Sequence, residues 1–476
     1  MKRTLSFYTL FFIACAIVMR LSGVLSKIVM ARYITPYEYG LITLVVISLP
    51  AMFQYFTNFC MHDLLSHSKE GKNYFAFSIA YTLITSLLVA IALLAFHERF
   101  FSFLNLPLDS WKILLIAFFI AAIPTYILAD ITGLFRGLKS YAHTSIIASL
   151  PSIIKLGLIL IAIYLLHITS FIAILAIFAV SSMIALLIVL IRYQKPVFSS
   201  LRSFNLPSRK IFLFGSSVFI VSLFGGLIQI LSKVVISHDL GIVWQGYFDV
   251  SLTLVAILSF AFGAMQFISI PEATGTENME DILFRQGELG DIVRGLFSFL
   301  IFFIILLYFY STQFVELLFG QEYLAAADYV IIIAIGYIFL FLQQFLAYMN
   351  VSFQDPKEYK SLIIATIVCL ALFPFVTHIS IQFMGFLGAY VSLTLFLIAY
   401  AVITILSSKD LSPLRALSHR IDRLFISSAL TFIFIYLFAS SSFLYGTIVA
   451  SCIFAILVFS LGYLDKELIL EMFTKK

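Results

Sequence analysis

Charge is what this chain has least of. Only 11% of its 476 residues are Asp, Glu, Lys or Arg, against 62% hydrophobic, and the mean hydropathy is +1.09. That balance excludes a water-soluble globular domain, in which about 25% of residues are charged. No Lys, Arg, Asp or Glu occurs from Ser361 to Ser408 or from Leu424 to Leu464. Each run has room for two membrane-crossing helices of about 20 residues. Cysteine is scarce as well. Cys15, Cys60, Cys369 and Cys452 lie in apolar stretches without CxxC spacing, so neither a disulfide framework nor a metal site is expected. A nucleotide-binding glycine loop is missing, which argues against an ATP-driven pump. His62, His67, His97, His143, His167, His238, His378 and His419 are scattered, and no large external loop gathers catalytic His, Arg or Asp. No cofactor is expected, and a membrane polymerase or ligase is disfavoured.

What the chain does have is a succession of apolar segments. Charges and turn residues divide it into fourteen spans, near 5–31, 40–62, 73–96, 112–133, 142–166, 169–191, 210–237, 246–270, 293–312, 325–352, 360–377, 383–406, 423–440 and 443–463. The thinnest divisions are Thr377 to Ser380 and Ala439 to Ser442, and twelve spans would result if the last pair were absent or re-entrant. The first segment carries Arg20 and Lys27 and is expected to be a retained span instead of a cleaved signal. With the N-terminus inside, cytoplasmic segments collect 22 of the 29 Lys and Arg residues, and the opposite loops only Arg32, Arg99 and Lys112. This asymmetry predicts cytoplasmic N- and C-termini. The net charge of +5 therefore belongs to the inner membrane face and implies no nucleic-acid partner.

The other four cations, Arg20, Lys27, Lys155 and Lys233, fall inside spans. A charge near the bilayer centre costs roughly 2.5–3.5 kcal/mol on insertion scales, so it is usually kept to face a cavity or a partner. Four charges of one sign point to an anion, and an anion in a membrane cavity is most simply a phosphorylated lipid or its head group. Arg20 and Lys27, seven residues apart, project from nearly one helix face. The alternatives are that Lys27 and Lys233 snorkel to an interface and that Lys155 neutralises a carboxylate. Gln229, with Ser222 a heptad before it, offers a polar strip beside Gly225 and Gly226. Gln54, Tyr55, Asn58, Gln343, Gln344 and Asn350 offer the same elsewhere. Asp130 and Asp249 are the candidate partners or coupling-ion sites, for H⁺ or Na⁺. His62-Asp63 reads as interfacial, and the acidic segment Glu272 to Asp291 as a solvated loop. Pro50, Pro124, Pro151 and Pro374 can kink spans.

An internal repeat organises the spans. A shift of 206 residues superposes Leu25-Ser26-Lys27-Ile28-Val29 on Leu231-Ser232-Lys233-Val234-Val235, and Gly40 on Gly246. A weaker echo at 218 residues sets Phe135, Lys139 and Tyr141 on Phe353, Lys357 and Tyr359. Both recur after six spans, and since six is even the halves share one orientation. The expected fold is an all-α integral membrane protein of about fourteen transmembrane helices. Two parallel six-helix lobes (1–196 and 197–408) would enclose a central cavity, with two terminal helices and a tail at 409–476.

Two segments also carry a resemblance. Ala31-Arg32-Tyr33-Ile34-Thr35-Pro36-Tyr37-Glu38-Tyr39-Gly40-Leu41, directly after the first span, resembles the corresponding segment of polysaccharide and O-antigen flippases. Phe135-Arg136-Gly137-Leu138-Lys139-Ser140-Tyr141, between spans four and five, is similar to their FRG loop. These flippases belong to the multidrug/oligosaccharidyl-lipid/polysaccharide exporter superfamily, whose six-plus-six arrangement would cover essentially the whole chain. Thr35 and Ile34 depart from the frequent Gly and Leu. The resemblance implies alternating-access transfer of a polyprenyl-phosphate- or polyprenyl-pyrophosphate-linked oligosaccharide across the cytoplasmic membrane, for surface polysaccharide or glycan synthesis. It also implies drive by an ion gradient or the membrane potential, and association with glycan assembly enzymes. A lipid-linked peptidoglycan-precursor flippase and a drug or metabolite antiporter are the alternatives; the second usually takes cations, which this cavity would repel.

Overall fold

The computed structural model describes residues 2–59, 61, 65, 71–138, 140–258, 288–353, 360–408, 414, 417–418, 420–438 and 443–463. Cys60, His62, Asp63, Lys139, Lys357, Tyr359, the break at 439–442 and the acidic segment as far as residue 287 lie outside them, as do the side chains of Ser222 and Asn350. The described residues form helices and no strand, the arrangement that satisfies backbone hydrogen bonds within each segment when lipid can offer none.

We number the long helices in chain order: α1 (Lys2–Ala31), α2 (Pro36–Thr57), α3 (Phe75–Ala95), α4 (Trp111–Gly137), α5 (Tyr141–Leu160), α6 (Phe171–Arg192), α7 (Arg209–Asp239), α8 (Ile242–Val255), α9 (Glu288–Phe319), α10 (Val330–Phe353), α11 (Lys360–Met384), α12 (Phe386–Ser407), α13 (Ile421–Phe438) and α14 (Phe443–Ser460). Among the described residues eight helices are long and apolar enough to cross a membrane, or nine if the two parts of α7, Ile211–Val221 and Leu223–Asp239, bent by 49°, count as one span. Helices α1, α8, α10, α13 and α14 stand at the remaining expected positions. Ile191, Phe383 and Leu406 are 74, 85 and 80% exposed. Apolar surface of that breadth marks contact with lipid.

The packing repeats along the chain. Helix α1 lies along α5 and α7 along α11; α4 lies on α6 and α10 on α12; α13 and α14 pack against α9. Both of these first-half partnerships recur six helices later. Between the halves, α2 crosses α8 at Gly40 and Gly246. A Cβ on Gly40 would sit 2.9 Å from the Ile242 side chain and closer still to its backbone oxygen, and a Cβ on Gly246 would sit 2.5 Å from the Pro36 oxygen. Ile242 follows Pro36 by the same 206 residues, so the two contacts are reciprocal. Backbone oxygens at a helix crossing cannot swing aside as side chains can. Gly246→Ala should therefore destabilise the fold by about 1–3 kcal/mol, the usual cost of overpacking. Gly23→Ala, with nothing within 4 Å, should not. Thermal unfolding of the two purified variants checks this, and equal melting temperatures would remove the close approach as a constraint.

Local sequence explains the starts and stops. Thr35 caps α2 through the Glu38 amide while Glu38 reaches back to the Thr35 amide, a capping box with Pro36 at the first helical position. The departure from glycine at Thr35 is thus a helix cap. The break expected at Thr377 to Ser380 is not a break. Helix α11 runs on to Met384 and the chain turns at Gly385, whose φ of 59° is the left-handed conformation glycine tolerates. Thr377 is buried and His378 is held by another helix, which gives the polar residues a helical use. At the start of α9, Glu288 and Asp291 of the expected acidic loop are already helical.

Candidate functional site

Three helix segments bring charge to one point inside the bundle. Lys27 on α1 donates to both oxygens of Asp249 on α8, at 3.1 and 2.8 Å, and to Thr253 Oγ1 at 3.2 Å. Lys233 on α7 donates to Asp249 Oδ1 and, at 3.2 Å, to Ser48 Oγ. Tyr39 on α2 donates its hydroxyl proton to Asp249 Oδ2 at 2.9 Å. Asp249 is fully buried, whereas the Lys27 side chain keeps 18% exposure and forms the accessible side. A π-helical stretch, Thr43–Ser48, widens α2 where Ser48 meets Lys233. Removing one member of such a group leaves a buried charge without compensation, which is why all its members are tightly bonded.

Of the other two cations, one lies close to this group. Helix α1 packs along α5, and Lys155 there lies within electrostatic reach of Lys27, its ammonium 4.8 Å from the centre of the Phe178 ring. Arg20 and Asp249 both act electrostatically on the buried Tyr337. The structure therefore joins two of the four intramembrane cations, Lys27 and Lys233, on one carboxylate and sets Lys155 near Lys27. Lys27 and Lys233 do not snorkel; they are counter-charged by Asp249.

The remaining candidates lie elsewhere. Asp130, fully buried on α4, accepts from Asn58 Nδ2 at 2.8 Å and from the Thr82 hydroxyl at 2.7 Å. Asn58 also donates to the Tyr126 carbonyl, so this polar group ties α2, α3 and α4 together within the first half. Gln229 turns back along its own helix to the Gly225 carbonyl at 3.1 Å. Tyr55 fills the space over Gly226, where a Cβ would meet its hydroxyl. The Phe135 ring of the FRG-like segment is wedged between His143 and Tyr193, bracing the α4–α5 turn against the end of α6.

Tyr39, Ser48 and Thr253 are site residues that sequence reasoning missed. One signal for the asymmetry of the site was available: the 206-residue shift that matches the two lysines sets Asp249 against Thr43, so only one half carries the carboxylate.

At the end of the bundle that holds the α1–α2 turn, the halves meet over a wide surface. Arg32 Nε donates to the Leu318 carbonyl at 3.0 Å and the Tyr323 hydroxyl to the Ile34 carbonyl at 3.0 Å. Burial, with Glu322 and Glu38 adding to it, pushes the Tyr323 phenol well above its ordinary range and keeps it a donor. Asn105 donates to the carbonyls of Ser237 and His238, Ser237 Oγ to the Leu104 carbonyl, and the His238 ring stacks on Phe103. Just beyond, His378 Nδ1 donates to Asp239 at 2.8 Å, and Gln382 caps the other ring nitrogen. Towards the opposite end the halves touch through aromatic rings, Tyr55 and Phe59 on Phe219 and Phe59 on Phe212.

The sequence profile of a family described as polysaccharide biosynthesis protein matches residues 9–271. No curated protein matches the chain by sequence. Among solved structures, the lipid II flippase MurJ in an inward closed conformation superposes with a TM-score of 0.69 at 13% identity, over 94% of this chain and 98% of that one. An inward-facing multidrug resistance MATE family transporter of the MOP superfamily gives 0.54 at 17% identity, over 84% and 98%. MATE in complex with MaD3S gives 0.59 at 15%, over 87% and 96%. At these identities the likeness establishes a common fold.

Proposed function

Since the chain belongs to the polysaccharide biosynthesis protein family, we propose that it is a flippase, carrying a polyprenyl-phosphate- or polyprenyl-pyrophosphate-linked oligosaccharide across the cytoplasmic membrane by alternating access. The observation that carries this reading is the meeting of Lys27 and Lys233 on the carboxylate of Asp249, with Lys155 near Lys27. An excess of positive charge inside a membrane bundle has little use except to hold an anion, and a lipid phosphate can reach it while its polyprenyl tail stays in the bilayer. Arg20 would grip phosphate oxygens in bidentate fashion and the lysines would supply point charges.

Residues 1–196 and 197–408 act as the two lobes, 409–476 as an appendix, and the termini face the cytoplasm. The α1–α2 end is then the outer face, closed in this state by the Asn105, Arg32 and Tyr323 contacts. The buried carboxylates Asp130 and Asp249 are the places where H⁺ or Na⁺ would couple to lobe movement, and glycan assembly enzymes would supply and consume the substrate. The higher TM-score against MurJ than against the MATE structures favours a lipid-linked peptidoglycan precursor as the second reading; both substrates present a polyprenyl phosphate to the same cations.

The test is transfer of a short polyprenyl-pyrophosphate-linked oligosaccharide across liposomes containing the purified protein, under a pH or Na⁺ gradient and a potential. Arg20→Ala should slow it about tenfold or more, as expected for the loss of a hydrogen bond to a charged group. Undiminished transfer by a well-inserted Arg20→Ala variant would remove Arg20 from the site. No transfer by the wild type under any of these gradients would overturn the flippase reading.

A further inference from the structure

We propose, resting on the flippase reading, that Asp249 occupies the seat of the substrate's phosphate and that the arriving phosphate takes over Lys27 and Lys233. Capture of the head group and release of one half of the molecule from the other are then a single exchange.

The bonds of the group are the first reason. Lys27, Tyr39 and Ser48 belong to the first half of the chain, Lys233 and Asp249 to the second. Lys27 to Asp249, Lys27 to Thr253, Tyr39 to Asp249 and Lys233 to Ser48 all cross between the halves. Withdrawing the carboxylate from its donors undoes two of these four links, and a phosphate that draws off both lysines undoes the others.

Symmetry is the second. Lys27 and Lys233 correspond under the 206-residue repeat, and both reach the same carboxylate from different halves of the chain. The anion between them does not correspond to anything: where the second half has Asp249 the first has Thr43. Two equivalent cations define a place for an anion between them, and a carboxylate reaching in from one half fills it.

Energetics is the third. Two ammonium groups away from water need an anion at all times, so an unoccupied site would be costly and the resident carboxylate removes that cost. A ligand bringing its own negative charge can replace it with little change in net charge. A neutral lipid cannot, which makes the exchange a selection for phosphate. The hydroxyls of Ser48 and Thr253, already directed at the group, can donate to the additional oxygens of a phosphate. Entry is from the side of Lys27, which is partly exposed, past Arg20 about 10 Å earlier along the same helix face.

The experiment measures binding of polyprenyl pyrophosphate, with polyprenol as the uncharged control, to the purified full-length protein in detergent. Asp249→Asn should bind the pyrophosphate about tenfold more tightly than the wild type, because a charge-assisted competitor has been removed, with no gain for polyprenol. Equal or weaker binding by a folded Asp249→Asn variant overturns the exchange. Should that variant not fold, Tyr39→Phe loosens the carboxylate while keeping every charge, and about twofold tighter binding is expected from the loss of one supporting hydrogen bond; no tightening overturns the proposal. The failures are distinguishable. If the wild type prefers pyrophosphate to polyprenol but neither variant binds it more tightly, the exchange is wrong and the flippase reading stands. If pyrophosphate and polyprenol bind equally to every form, both are wrong.

Discussion

Asp249→Ala should give a protein less stable by about 3–5 kcal/mol and inactive in transport, because two buried ammonium groups lose the carboxylate they share. The destabilisation comes from the uncompensated charges, not from the lost side-chain volume, and a charge-free version of the same cluster separates the two. In Lys27→Met/Asp249→Leu/Lys233→Met the charges disappear together and similar volume remains. Such replacements of buried ion clusters are often neutral or stabilising. The triple variant should therefore melt near the wild-type temperature and still transport nothing. A triple variant as unstable as Asp249→Ala would mean that the cluster acts as packing alone. A triple variant that transports would dismiss it from the function altogether.

Holding the α1–α2 end shut should abolish transport reversibly. Asn105 and His238 belong to different halves and already touch, Asn105 Nδ2 lying 2.7 Å from the His238 carbonyl. With the four native cysteines replaced, Asn105→Cys/His238→Cys joined by a short cleavable thiol reagent would prevent these surfaces from parting. The proposed alternating access requires that they part once per cycle. Transfer in liposomes should fall to the protein-free background on cross-linking and return on cleavage, while either single cysteine variant treated alike stays active. Full transport through a completely cross-linked protein would show that the path opens elsewhere.

Most of the fold was legible along the chain, because what specifies it is local. A membrane helix announces itself by a stretch of apolar residues, so helices stand at the expected positions even where length and hydropathy alone do not identify a span. The repeat was legible through Lys27, Lys233, Gly40 and Gly246, the last two of which meet reciprocally at the crossing of α2 and α8. Local polarity misled once. Thr377 to Ser380 looked like a turn because side-chain polarity was weighed without knowing that Asp239 waits on a neighbouring helix for His378; the turn needed only Gly385 and its positive φ.

The site divides in the same way. By itself the sequence determined that four cations of one sign lie within apolar stretches, and the cost of burying a charge in lipid made them the residues to watch. It also named Asp130 and Asp249 as the carboxylates to watch. Only the tertiary structure decided that Asp249, 222 residues from Lys27 and 210 from Tyr39, is the anion both lysines share. The tertiary structure likewise decided that Asp130 belongs to a separate network with Asn58 and Thr82, and that Gln229 turns back to its own helix. Hydropathy is summed residue by residue along the chain, but an ion pair depends on which helices are neighbours, and that is settled by packing between the halves.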